Sequence, residues 1–102
     1  MTAQTTPILL FFATTKSGPA RRMESLLAHL ARKERDRLRI WRVDTDQQED
    51  WVERFKVTQV PTLVLVQDRN AVARLEGRAS APQIERMLAP HLPVTERVLE
   101  VG

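Results

Sequence analysis

At 102 residues the chain has the length of one ordinary domain, enough for one modest core and too little for two. Hydrophobic residues make up 42% and charged residues 28%, the proportions of a soluble globular protein rather than a disordered or membrane-embedded one. Lys and Arg number 16 against 13 Asp and Glu, a net charge of +3; this excess serves solubility and does not point to nucleic acid.

The sequence contains no cysteine, which excludes disulfides, thiolate metal sites and thiol nucleophiles together. The two histidines, His29 and His91, lack the spacing of a metal motif, so no metal or other cofactor is expected. No apolar run approaches the length of a membrane span. Met1 to Pro7 carries no Lys or Arg, and Ile8 to Phe12 is too short for the core of a signal peptide. The expectation is a cytoplasmic protein with no membrane partner.

Ile8 to Phe12 is a short, continuously apolar run after Pro7, which suits a strand buried on both faces. From Ser17 the period changes. Met23, Leu26, Leu27 and Leu30 form the stripe of an amphipathic helix that fades near Arg35. Ser17 fits its N-cap, and Pro19 is tolerated in a first turn. Arg32 to Arg42 is rich in basic residues, but Glu34 and Asp36 interleave, so it reads as a solvated helix end and strand edge.

Leu38 to Val43 reads as a second strand, closing at Asp44 to Asp46. Gln48 to Lys56 is a short helix with Trp51 and Phe55 on its inner side. Trp41, alternating with Ile40 on a strand expected to be buried on both faces, is also assigned to the core. Val60 to Val66 gives a third strand, Asp68 to Asn70 a hairpin turn, and Ala71 to Glu76 a fourth strand broken by Gly77. Ser80 and Gln83 have the spacing of a capping box, with Pro82 in the first turn of a helix that buries Ile84, Met87 and Leu88. Pro93 stops it. The tail, with apolar Val94, Val98, Leu99 and Val101, is expected to pack on the domain or on a second subunit.

The predicted order is β-α-β-α-β-β-α: an α/β fold with a mixed four-stranded sheet and helices on both faces. Three stretches at matching places on these elements carry a family resemblance. Ser17-Gly18-Pro19-Ala20 follows the first apolar strand, Val43 to Asp46 ends the second, and Val60-Pro61-Thr62 opens the third. Together, with Gly77 beyond, they resemble thioredoxins over roughly residues 7 to 92, leaving 93–102 as a tail of one thioredoxin-like domain.

The departures are as informative as the match. Ser17 and Ala20 stand where that family has its two redox cysteines, and Lys16 replaces the aromatic residue before the motif. The buried acid of the preceding strand falls on Phe11. The resemblance therefore implies a protein without thiol–disulfide oxidoreductase activity, and no other enzymatic activity is expected. It also implies a cis peptide bond before Pro61 and a groove for an extended peptide, bounded by Lys16, Ser17, Gly18, Pro19, Val60, Pro61, Thr62 and Gly77.

The leading reading is a redox-inactive adaptor or chaperone-like module for another protein. A second reading places glutathione or a small anion at the Ser17 helix start, beside Lys16. The ordinary alternative there is an N-cap serine with a solvated lysine. A third is a structural role, with residues 94–101 forming a homodimer.

Overall fold

The computed structural model describes residues 6–14 and 18–92. Its elements run β1 (Ile8–Ala13), α1 (Gly18–Lys33), β2 (Arg39–Asp44), α2 (Glu49–Arg54), β3 (Thr62–Gln67), β4 (Asn70–Glu76) and α3 (Ala81–Leu88), followed by a 3-10 turn over Ala89–His91. The order is the one read from the sequence, with most boundaries shifted by one or two residues; the last α-helix ends earlier than expected, at Leu88, and the 3-10 turn fills the stretch before Leu92.

The sheet order is β2-β1-β3-β4. β1 runs parallel to β2 and antiparallel to β3, and β3 runs antiparallel to β4. The apolar runs of β1 and β3 thus lie side by side in the middle, where both faces need covering. Their residues divide by the period of two. Leu9, Phe11, Leu63 and Leu65 join Met23, Leu27 and Leu30 of α1 and Ile84 and Leu88 of α3. Leu10, Phe12 and Val64 join Val43 and Val57, with Trp51 and Phe55 of α2 packed against them. Two helices therefore cover one face, and the six residues of α2 cover only part of the other.

Leu26 departs from its expected place: it is 37% exposed. At about 100° per residue it falls on the margin of the Met23–Leu27–Leu30 stripe, beside the α1–α3 seam that it lines with His29, Lys33 and Ile84. Met87 is half-buried rather than buried, His29 is exposed and His91 is half-buried. The larger correction is Trp41, which is 47% exposed. β2 is an edge strand, and only Val43 among its residues is fully covered.

The basic run also gains structure. Arg37 Nε donates to Glu34 Oε1 at 2.6 Å, in the turn where the Leu38 N–H donates to the Glu34 carbonyl at 2.9 Å. That hydrogen bond from Arg37 holds the Glu34 carboxyl below its usual value of 4.5. A carboxylate with a lowered folded pKa adds stability above its unfolded pKa and loses it as pH falls through the folded one. Glu34→Gln is therefore expected to lower Tm near pH 7. The gap from wild type should close as pH drops below about 4.5; thermal unfolding followed by circular dichroism reads it.

The hairpin turn has positive φ at both central residues, 53° at Asp68 and 70° at Arg69, the pattern whose twist matches antiparallel strands. α3 carries the expected capping box. The Gln83 N–H donates to Ser80 Oγ at 3.3 Å, and the Ser80 N–H donates to Gln83 Oε1 at 2.8 Å. Ser80→Ala leaves a helix donor unpaired and is expected to cost about 1 kcal/mol, a fall of roughly 4–8 °C in Tm.

Candidate functional site

Of the residues expected to bound a groove, Val60, Pro61, Thr62 and Gly77 lie at one end of the sheet. Thr62 opens β3 opposite Phe12 of β1 and Glu76 of β4, so Val60, Pro61 and Thr62 lie beside the point where β1 runs out toward α1. The Val60–Pro61 bond is cis. Pro61 is buried and Val60 half-buried. Gly18 and Pro19 open α1; Lys16 and Ser17 lie outside the described residues, as does the 94–101 tail.

Two contacts fix this loop. The Thr62 hydroxyl, fully buried, donates to the Gln59 carbonyl at 2.7 Å. The Gly77 N–H donates to the Pro61 carbonyl at 2.8 Å. Gly77 has φ of 84°, and a Cβ there would meet only Gln59 Oε1 at 3.8 Å. Glycine is thus required by the left-handed backbone and not by space. Between these anchors the Val60 N–H and C=O enter no hydrogen bond among the described residues.

Sequence reasoning missed the polar clamp behind the loop. Arg74 on β4 donates to the Phe55 carbonyl at 3.0 Å and the Lys56 carbonyl at 3.2 Å. These are orphan acceptors at the C-terminal end of α2, where a cation is favoured. Arg74 also pairs with Glu76 at 3.1 Å, and Glu76 Oε1 accepts from Gln59 Nε2 at 3.4 Å. A chain of side chains therefore ties the end of α2, the Gln59 turn and β4 together behind Pro61. The only sequence signal was the i, i+2 spacing of Arg74 and Glu76, which puts both on one face of a strand.

Around this geometry the chemistry of a redox site is missing. No cysteine is present, and Phe11 is 2% exposed within the apolar cluster under α1 and α3. Thr62 is the sole buried polar residue among the described ones. Those residues hold no group of three His, Asp or Glu that could bind a metal ion, and none of their helices is long and apolar enough to cross a membrane.

The thioredoxin family model matches residues 1–90 of the chain. The chain belongs to the thioredoxin family. Thioredoxin-1 of Drosophila melanogaster is 34% identical over 82 residues, which cover 80% of this chain and 76% of that protein. The crystal structure of the germline-specific Drosophila melanogaster protein Deadhead (thioredoxin-1) superposes with a TM-score of 0.79 at 32% identity, covering 84% of this chain and 81% of that one. Fasciola hepatica thioredoxin gives 0.79 at 26% identity, over 86% and 83% of the two chains. This thioredoxin-family chain, having no thiol, carries out no thiol–disulfide exchange.

Proposed function

We propose that this chain is a redox-inactive binding module that holds an extended segment of another protein in the groove beside Val60, Pro61 and Thr62. The observation that carries this reading is the Val60 backbone. Its N–H and C=O are unbonded among the described residues, while Thr62 on one side and Gly77 on the other hold the loop in place. A peptide laid along Val60 would pair with that N–H and C=O as an added strand does. On this reading the segment would also run past the start of α1 at Gly18 and Pro19. Backbone pairing tolerates many sequences, which suits an adaptor or chaperone-like role.

The test is a calorimetric titration with insulin B chain whose cysteines are blocked as neutral carbamidomethyl groups, an unfolded polypeptide with no disulfide to exchange. Wild type is expected to bind it, and Val60→Glu, which sets a carboxylate beside the pairing backbone, to bind about tenfold more weakly, or about 1.4 kcal/mol. Equal affinity in the two proteins would overturn the groove reading.

A further inference from the structure

The exposed tryptophan of β2 sits over a second concave surface. Trp41 and Trp51 lie with ring centroids 6.5 Å apart, and Trp51 continues into Phe55 at 6.2 Å. These rings wall a hollow of about 150 Å³, floored by Ile8 and Val66 and rimmed by Arg54 and Arg69. It opens because α2 is too short to cover this face of the sheet. Ile8 pairs with Val66, whereas Phe12 pairs with Thr62. The hollow is thus about 13 Å along the strands from the Pro61 end, at roughly 3.3 Å per residue.

Its size and charge limit what fits. A cavity of this volume takes a benzene ring, and it falls well short of the several hundred Å³ of a small-molecule site. One phenylalanine- or leucine-sized side chain would fill it. No carboxylate lines it. Arg54 stands 5.7 Å over the Phe55 ring, and neither Arg54 nor Arg69 enters an ion pair among the described residues. A second copy meeting this surface about a two-fold axis would bring the same arginines toward each other, which electrostatics opposes. A segment with carboxylates flanking an apolar residue would meet two unpaired guanidinium groups instead.

We propose that the Trp41–Trp51 hollow docks an acidic segment of a partner protein, anchored by one phenylalanine- or leucine-sized side chain between carboxylates held by Arg54 and Arg69. Tryptophan and arginine are the residues in which binding energy concentrates at interfaces. This surface is separate from the Val60 groove and stands or falls independently of it.

Both tryptophans of the chain line the hollow, so their fluorescence reports it directly. The probe is a blocked Glu-Glu-Phe-Glu-Glu peptide titrated into the full chain. A saturable emission change is expected, weakening as salt rises and vanishing when the peptide's phenylalanine is alanine. Arg54→Gln and Arg69→Gln, both at exposed positions, should each weaken binding about fivefold, with circular dichroism confirming an unchanged fold. The proposal is overturned by any of three results: no emission change up to about 1 mM peptide, equal binding of a lysine-for-glutamate peptide, or arginine variants that bind like wild type. Sedimentation showing self-association that Trp41→Ala abolishes would also overturn it, since a second copy would then cover this face.

Discussion

Replacing Phe11 with aspartate is expected to leave the chain largely unfolded at neutral pH. On the resemblance, this position is where thioredoxins keep their buried acid; here it is 2% exposed within an apolar cluster of the two central strands and two helices. The substitution removes a large side chain from a packed core, about 3–5 kcal/mol for phenylalanine truncation. It also buries a carboxylate with no charged partner in that cluster, a cost of further kilocalories. Together these approach the roughly 5–15 kcal/mol that holds a domain folded.

The pH dependence identifies the cause. Burial favours the neutral acid and raises the folded pKa above the unfolded value of about 3.9. Stability is then lost as pH rises from the unfolded value toward the folded one. The Tm gap between Phe11→Asp and wild type should be smaller at pH 4 than at pH 7. A variant as stable as wild type at pH 7 would mean that residue 11 reaches water or a cation, contrary to the packing described here.

Phe12→Ala tests the other face. Phe12 is fully buried, with its ring 5.9 Å from that of Phe55. It links the α2 side of the sheet to Leu10, Val43, Val57 and Val64. A loss of about 3–5 kcal/mol is expected, a fall of roughly 12–40 °C in Tm at about 4–8 °C per kcal/mol for a chain of this size. A fall of only a few degrees in thermal unfolding would show that α2 collapses into the gap. The two substitutions sit on neighbouring residues and report opposite faces, because side chains alternate along a strand.

The central strands, the hairpin and the Ser80-capped helix were all legible in the sequence because each depends on local chemistry. An apolar run, a turn and a cap are written within a few residues. The absence of redox chemistry was legible for the same reason, in Phe11 and the missing cysteines. Trp41 was misjudged because its exposure depends on strand order. A strand of the same composition would be buried in the centre of the sheet, but β2 is at the edge. Leu26 was misjudged by its angle on the helix, a matter of about 60° from the centre of the stripe.

The polar clamp was illegible for a different reason. Arg74 reaches carbonyls 18 and 19 residues away in the chain, and Glu76 reaches a glutamine 17 away. No local pattern encodes such pairings; only the β3–β4 register and the path of the Gln59 turn bring them together. The Trp41–Trp51 hollow belongs to the same class, since β1, β2, α2 and the hairpin turn each contribute to its walls.

The proposed role of this thioredoxin-family chain is to hold extended polypeptide beside Val60 without thiol–disulfide chemistry. Amide-resolved NMR of the labelled chain, titrated with the carbamidomethyl insulin B chain, tests it most directly. Saturable shifts concentrated at Val60, Thr62 and Gly77, with the start of α1, are the predicted result. Shifts that leave those amides unmoved up to about 1 mM ligand, or that gather at another surface, would contradict it.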